Sequence, residues 1–239
     1  MDIIRVSNLK KNYKSNIAVN CVTLNVPQGA VYGLIGLNGA GKTTLIKAIT
    51  GLIKKFEGSV EIAGVKWGRT GYRNNFAFLT EQFSPHRYLT GWEYLAFMWK
   101  LRGVPPDKQK AVAVCNEFGF DVALLDKKTG EYSKGTVQML GIIQAVCSSA
   151  QLLIMDEPTA GLDPLARAKF KTGIAGINNA GHSVFLSTHI LHDIDTLCTH
   201  IGILHRGQLL FNGTPAYLKE RHGTENLEAA FLTEIGAAA

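Results

Sequence analysis

Two glycines, a lysine and a threonine stand at the spacing that proteins use to hold phosphate groups. The chain has Gly36, four further residues, and then Gly41, Lys42 and Thr43, which matches the phosphate-binding loop (P-loop) pattern in full. Glycines let the backbone approach phosphate oxygens without a Cβ clash, and N–H groups at a helix start attract anions. Lys42 would reach the terminal phosphates of a nucleotide, and Thr43 would offer a hydroxyl to Mg²⁺. The alternative is a glycine-rich turn that a lysine happens to follow.

A pair of carboxylates follows an apolar run later in the chain. Residues 152–155 are Leu-Leu-Ile-Met, and Asp156 and Glu157 come directly after them. A magnesium–nucleotide site needs a carboxylate at the end of a buried strand, so Asp156 is the predicted Mg²⁺ ligand. Glu157 would point to the other side of the strand and polarise an attacking water. The alternative is an Asp-Glu-Pro turn that merely ends a strand.

The elements around these residues alternate between strand and helix. Seven apolar or alternating runs predict strands, at residues 3–9, 21–26, 30–35, 59–62, 76–79, 152–155 and 184–186. Helical spacing begins at Lys42 and recurs near residues 164–180 and 190–197. Between residues 83 and 149 the apolar spacing is helical. The order predicts an α/β core with an inserted helical subdomain.

Six segments, taken in order, resemble the ABC-type ATPases, the nucleotide-binding subunits of ATP-binding-cassette transporters. Besides the two motifs above, residues 156–164 (DEPTAGLDP) resemble the family's acidic strand end and D-loop. Gln82 stands where the family has its Q-loop glutamine, His189 resembles the switch histidine, and Tyr13 resembles the aromatic residue that stacks on adenine. The plain alternatives are a loop amide, a histidine at a helix start and an ordinary tyrosine.

A further segment, YSKGTVQ at residues 132–138, resembles the family's LSGGQ signature. Ser133 and Gly135 are kept, and the resemblance implies that they contact the γ-phosphate of ATP on an opposite subunit. Lys134 replaces the middle glycine, and Thr136 and Met139 depart further from the family pattern. These departures from the pattern would affect how strongly a site shared between two subunits binds ATP, and not whether such a site exists.

The resemblance implies a fold and a domain plan. The fold would be a P-loop NTPase α/β core, a mixed sheet with helices, plus the helical subdomain and an N-terminal antiparallel β portion. The chain 1–239 would form a single ABC ATPase domain. Residues 1–82 and 150–239 would form the core, and residues 83–149 the helical signature subdomain.

The resemblance also implies a full set of site residues. The expected catalytic residues are Glu157, His189 and Lys42. The residues expected to bind ATP are Tyr13, Gly36, Asn38, Gly39, Ala40, Gly41, Lys42, Thr43 and Thr44, with Ser133 and Gly135 acting in trans. The expected ligands of Mg²⁺ are Thr43, Gln82 and Asp156.

The implied function is ATP hydrolysis that powers transport. Two cassettes, most simply two copies of this chain, would dimerise head to tail around two Mg–ATP and drive separate transmembrane permease subunits. Residues 187–198 resemble the exporter pattern SHxLxExExLC, and residues 207–213 fit its exporter continuation. The chain would be cytoplasmic and peripheral on the inner face of the membrane, with no nucleic-acid partner. The alternative is a soluble, non-transport ABC ATPase such as the iron–sulfur assembly type.

Composition excludes several other classes. Hydrophobic residues make up 46% of the 239 residues and charged residues 18%, which excludes intrinsic disorder. The four cysteines lie far apart, which argues against a zinc ribbon or a disulfide scaffold. The most apolar stretch, residues 139–155, is too short and too polar to span a membrane. Residues 83–99 are enriched in aromatic residues, which suits either a groove for the permease or internal packing.

Overall fold

Two β-sheets and eight α-helices make up the fold in the computed structural model, which describes residues 1–14 and 16–236. The strands are β1 (Asp2–Tyr13), β2 (Asn16–Pro27), β3 (Val31–Ile35), β4 (Glu57–Ile62), β5 (Val65–Lys66), β6 (Phe76–Leu79), β7 (Leu152–Asp156), β8 (Ser183–Thr188), β9 (His200–His205) and β10 (Gln208–Gly213). The helices are α1 (Lys42–Ile49), α2 (Gly91–Arg102), α3 (Lys108–Glu117), α4 (Lys134–Cys147), α5 (Pro164–Asn179), α6 (Leu191–Leu197), α7 (Pro215–Arg221) and α8 (Leu227–Glu234).

The larger sheet has six strands in the order β10-β9-β3-β8-β7-β6. Strands β9, β3, β8, β7 and β6 run parallel, and β10 pairs antiparallel with β9. The smaller sheet is antiparallel, in the order β2-β1-β4-β5. Because parallel strands end at one edge, the segments that follow β3, β6, β7 and β8 meet there, which is where open α/β sheets bind ligands.

Side-chain alternation explains how the central strands hold both layers together. Every residue of β3 is buried. Val31 and Ile35 enter a core shared with helices α2 to α6, whereas Tyr32 and Leu34 enter a second core shared with α1 and the antiparallel sheet. Strands with both faces covered are near-continuous apolar runs, as residues 152–155 are.

The segment between β6 and β7 packs onto the first of these cores. Leu95 and Trp99 of α2 and Ile142 of α4 lie in the same apolar cluster as Ile35 of β3. A capping box at Thr90 starts α2, since its side chain accepts from the Glu93 N–H and the Glu93 carboxylate accepts from the Thr90 N–H.

The aromatic residues between positions 83 and 99 divide between the interior and the surface. Tyr94 and Trp99 are buried, whereas Tyr88 and Phe97 are exposed. Internal packing therefore accounts for some of the aromatic residues in this segment, and others are exposed on the surface. Among the residues described, no helix is both long and apolar enough to cross a membrane.

Candidate nucleotide-binding site

A cavity of about 900 Å³ opens where β3 and β8 end. It gathers most of the residues that the sequence predicts to bind ATP or catalyse its hydrolysis. Those that line it are Tyr13, Asn38, Gly39, Ala40, Gly41, Lys42, Thr43, Thr44, Glu157 and His189. The sequence did not predict Asn16, Ile17, Ala18, Leu37, Glu81, Ala160 and Arg206, which line it too.

The glycines of the P-loop each have a structural reason. Gly39 and Gly41 adopt φ angles of 80° and 106°, in the left-handed region that glycine tolerates best. A Cβ on Gly36 would lie 2.3 Å from the Leu204 carbonyl oxygen, and one on Gly41 would lie 2.3 Å from the Ala18 carbonyl oxygen. The loop is therefore pressed against β9 and β2 by its backbone, which leaves its other side to the cavity.

Lys42 begins α1 and turns its ammonium group into the loop. Nζ donates to the carbonyl oxygens of Gly36 at 2.7 Å and Leu37 at 3.4 Å. It also lies 3.6 Å from Glu157 Oε1, with both side chains nearly buried. The Lys42 ammonium is thus held at the base of the cavity by two carbonyls and one carboxylate.

Glu157 lies between a cation and an imidazole. Its second oxygen, Oε2, is 3.0 Å from Nδ1 of His189, whose side chain is 55% exposed. Glu157 follows β7 with a φ of 49°, an uncommon backbone conformation for a residue with a side chain. The structure thus joins Lys42, Glu157 and His189 in one contiguous chain of contacts.

Ser187 bonds to both residues of the acidic pair, to the side chain of Asp156 and to the backbone of Glu157. Strand β7 pairs with β8 so that Asp156 lies opposite Ser187. The Ser187 hydroxyl donates to Asp156 Oδ1 at 2.5 Å and accepts from the Glu157 N–H at 3.0 Å. Asp156 and Gly36 do not themselves line the cavity. The Gly36 carbonyl accepts from Lys42, which does line it, whereas Asp156 precedes the lining residue Glu157 in the chain. Ser187 was not predicted to be a site residue, although it lies two residues before His189 in the sequence.

Gln82 does not line the cavity, whereas its neighbour in sequence does. Gln82 and Glu81 both lie in the turn after β6, and it is Glu81 that lines the cavity. A glutamate brings a negative charge and two acceptor oxygens, whereas a glutamine brings one acceptor and two donors. Gln82 as a Mg²⁺ ligand stays a prediction, and Glu81 is a second candidate for that position.

Ser133 and Gly135 lie outside this cavity. Ser133 caps α4, since its Oγ accepts from the Thr136 N–H at 3.1 Å and lies 2.8 Å from the Thr136 hydroxyl. A Cβ on Gly135 would lie 3.2 Å from the Gly161 carbonyl oxygen. The start of α4 thus packs on the D-loop-like segment of the same chain, and Thr136 supports the cap.

The opposite rim of the cavity carries Tyr13 and Arg206. The Tyr13 ring is 48% exposed, with Nζ of Lys11 4.8 Å from its centroid. Arg206 lies in the tight turn between β9 and β10, where the Gly207 N–H donates to the Ala40 carbonyl at 2.9 Å. That bond attaches the turn to the P-loop and brings Arg206 to the cavity.

Known proteins are similar to this chain in sequence and in fold. The profile of the ABC transporter family matches residues 19–160. The lantibiotic transport ATP-binding protein SrtF of Streptococcus pyogenes is 33% identical over 234 residues, which are 98% of this chain and 97% of SrtF. The bacitracin transport ATP-binding protein BcrA of Bacillus licheniformis is 35% identical over 223 residues, which are 92% of this chain and 72% of BcrA.

Solved structures agree with the sequence comparison. The structure of an ATP binding subunit of an ABC transporter superimposes with a TM-score of 0.88 at 30% identity, over 97% of this chain and 99% of that one. The dimeric structure of the bacterial ABC transporter cassette MJ0796 superimposes with a TM-score of 0.81 at 23% identity, over 88% of this chain and 98% of that one. The second likeness concerns the fold alone.

These likenesses decide between the alternatives that the sequence left open. The predicted α/β P-loop fold and the predicted family are confirmed. The relatives favour a transporter subunit over the non-transport ATPase. The chain belongs to the ABC transporter family and is an ATP-binding, ATP-hydrolysing subunit of such a transporter.

Proposed function

We propose that this chain hydrolyses Mg–ATP as one of two cassettes that drive an exporter. The observation that carries the proposal is the chain of contacts from Lys42 through Glu157 to His189 at the wall of the cavity. Phosphoryl transfer depends on positioning and charge stabilisation, and these three groups supply a cation, a base and a partner for that base.

Each of the three groups has a distinct task. Lys42 exchanges its carbonyl partners for the terminal phosphate oxygens, because an ammonium binds phosphate more strongly than a neutral carbonyl. Glu157 accepts a proton from the attacking water, and the 3.0 Å contact with Nδ1 of His189 keeps its carboxylate aimed. The exposed imidazole of His189 is left to meet the γ-phosphate side of the substrate.

The donor atoms near the P-loop fit Mg²⁺. This ion takes oxygen ligands, and in nucleotide sites it usually keeps one or two carboxylates together with substrate phosphates and water. Thr43 offers a hydroxyl in the cavity, and Asp156 offers a carboxylate that the Ser187 hydroxyl holds in place. When bound, Mg²⁺ neutralises charge that develops on the phosphates. Glu81, rather than Gln82, would add a further oxygen ligand for Mg²⁺, because Glu81 lines the cavity.

The arrangement of α4 favours a second copy as the partner in hydrolysis. Ser133 and Gly135 do not line the chain's own cavity, and Gly135 borders its own D-loop-like segment. In a two-fold pair each of these surfaces would meet the other chain's nucleotide, which closes the site from outside. In this proposal residues 83–149 form a helical subdomain that brings Ser133 and Gly135 to the other chain's nucleotide. Residues 1–82 and 150–239 form the core that binds the chain's own nucleotide.

An export role follows from the relatives and from residues 187–198. SrtF and BcrA are named for transport of a lantibiotic and of bacitracin. We infer that this chain likewise powers outward transport, docked on separate permease subunits at the inner face of a membrane.

A concentration series tests the proposal. Specific ATPase activity of the purified chain should rise with protein concentration, because two chains must meet. Glu157→Gln should lower turnover by about 10²- to 10⁴-fold, keep ATP binding and accumulate an ATP-bound dimer on size exclusion. Glu220→Gln, the same change on the exposed face of α7, is the control and should leave both unchanged. Wild-type turnover in Glu157→Gln would remove Glu157 as the base, and constant specific activity would remove the paired mechanism.

A further inference from the structure

Three buried side-chain atoms lack a hydrogen-bond partner among residues 1–14 and 16–236. They are Thr159 Oγ1, Arg167 Nε and Asp193 Oδ2. Buried polar atoms are nearly always paired in folded proteins, so each exception needs a physical reason. Two of the three face each other, because Arg167 Nε and Asp193 Oδ2 lie 3.9 Å apart. A charge-assisted hydrogen bond would be shorter by about 1 Å.

The other oxygen of Asp193 is fully engaged. Oδ1 lies 2.9 Å from Nζ of Lys171, and the Asp193 side chain is only 7% exposed. Lys171 and Arg167 are one turn apart on α5, whereas Asp193 is on α6. A nearly buried carboxylate therefore joins two helices by one formed and one stretched contact.

Helix α5 follows Glu157 along the chain, and helix α6 follows His189, the two residues that contact each other in the site. The chain runs from Glu157 through the D-loop-like segment to Asp163, whose Oδ1 accepts from the Ala166 N–H at 2.8 Å and caps α5. It runs from His189 directly into α6, which begins at Leu191. The position of α6 relative to α5 therefore bears on where the imidazole meets the Glu157 carboxylate.

Helix α6 is also pressed against the strand that leads to the P-loop. A Cβ on Gly33 of β3 would lie 2.3 Å from Ile194 Cδ1 and 2.8 Å from Cys198 Sγ. Side chains of α6 and of the residue after it therefore pack directly on the backbone of β3, so a movement of α6 would be transmitted to that strand. A shift of about 1 Å between α5 and α6, enough to close the stretched contact, would be felt at both the P-loop strand and the histidine.

We propose that Asp193 is a positioning residue for ATP hydrolysis, which rests on the function proposed above. It ties α6 to α5 through Lys171, and its free oxygen closes onto Arg167 in the ATP-bound pair. Closure aligns His189 with Glu157, because the new charge-assisted bond favours one arrangement of the helices over the other.

Two substitutions separate this role from a merely structural one. Asp193→Asn keeps the side-chain shape and removes the charge. It should lower kcat at least about fivefold while the Kd for ATP stays within about twofold. Asp193→Glu keeps the charge and should recover most of the turnover. The matched control is Asp195→Asn on the same helix, where the carboxylate lies 3.1 Å from Lys219 Nζ on α7, and it should leave kcat unchanged.

Arg167→Gln provides a second and independent measurement. Since the Arg167 contact is already stretched to 3.9 Å, its removal should leave the melting temperature of the protein without nucleotide within about 2 °C while kcat falls. In a His189→Ala background, Asp193→Asn should cause no further fall, because its effect passes through the histidine. A general loss of folded structure would lower turnover by the same factor in both backgrounds.

Three results would overturn the inference. They are wild-type kcat in both Asp193→Asn and Arg167→Gln, an equal loss in Asp195→Asn, or independent effects of Asp193→Asn and His189→Ala. Wild-type turnover and its loss in Glu157→Gln are measured alongside. If those fail, the proposed function falls; if they hold and the Asp193 series does not, only the positioning role falls.

Discussion

Removing Lys42 should destabilise the chain mainly through the carboxylate that it leaves behind. The side chains of Lys42 and Glu157 are 7% and 10% exposed, and Nζ lies 3.6 Å from Oε1. At that separation the Coulomb attraction is about 4 to 5 kcal/mol for an effective dielectric constant of about 20, and desolvation of both groups offsets much of it. Lys42→Met deletes the cation and leaves Glu157 with His189 as its remaining side-chain partner.

We expect Lys42→Met to lower the free energy of unfolding by about 3 kcal/mol, the lower end for breaking a buried pair, since the imidazole remains. That corresponds to a fall of about 6 to 12 °C in the melting temperature for a chain of this size. The double variant Lys42→Met with Glu157→Gln should lose only about 1 kcal/mol, because no unpaired charge stays buried. We expect Glu157→Gln alone to cost about 1 kcal/mol, because Lys42 keeps two carbonyl acceptors. The coupling between the two sites is then about 3 kcal/mol.

Urea unfolding without nucleotide measures this cycle, because bound ATP would add its own stabilisation. The matched control is the exposed pair of Lys219 and Asp195, 3.1 Å apart with side chains 22% and 35% exposed. Its coupling should lie below about 1 kcal/mol. If the effects of Lys42→Met and Glu157→Gln add within about 0.5 kcal/mol, the two groups do not support each other in the nucleotide-free chain, and the argument from burial is refuted.

Two further predictions concern the P-loop glycines and the buried thiols. Gly36→Ala should cost about 1 to 3 kcal/mol in a thermal melt, because its Cβ would strike a backbone carbonyl of β9. Gly39→Ala meets no atom within 4 Å and should cost only about 1 to 2 kcal/mol for its left-handed backbone, so the reverse order would contradict the packing argument. Burial raises the pKa of Cys115 to about 11 and that of Cys147 to about 12. The unfolded chain loses these protons from about pH 9, so the free energy of unfolding should fall as pH rises from 9 to 12 in denaturant titrations, and a rise there would contradict it.

The sequence predicted the large parallel sheet well because its strands are unmistakable. The run at residues 152–155 is apolar without a break, and the strand occupies Leu152–Asp156. The N-terminal strands were predicted too short. Strands β1 and β2 each have 12 residues, but Asn8 and Cys21 adopt positive φ, and their pairing register shifts repeatedly. Such irregularities break the two-residue period on which strand prediction depends.

The site was predictable where a motif fixes the backbone and unpredictable where only tertiary contacts do. The P-loop spacing sets its own geometry, so Gly39 to Thr44 were found in full. The choice between Glu81 and Gln82 depends on the direction of a turn, which spacing does not encode. Arg206 reaches the cavity because the Gly207 N–H donates to the P-loop carbonyl of Ala40, more than 160 residues away in sequence. No local sequence pattern predicts such a contact.

The strand order has a consequence for the synthesis of this protein. Strand β3, which leads into the P-loop, has β8 and β9 as its neighbours, and these begin at Ser183 and His200. A ribosome must therefore add about 150 residues after β3 before that strand can pair with a neighbour in its sheet. All strands of the antiparallel sheet have been synthesised once Lys66 is added, so this sheet can fold early. Strand β3, in the apolar centre of the larger sheet, can pair only after β8 has been synthesised. During this interval the nascent chain offers unpaired apolar strands to chaperones, and to its own neighbours on the polysome.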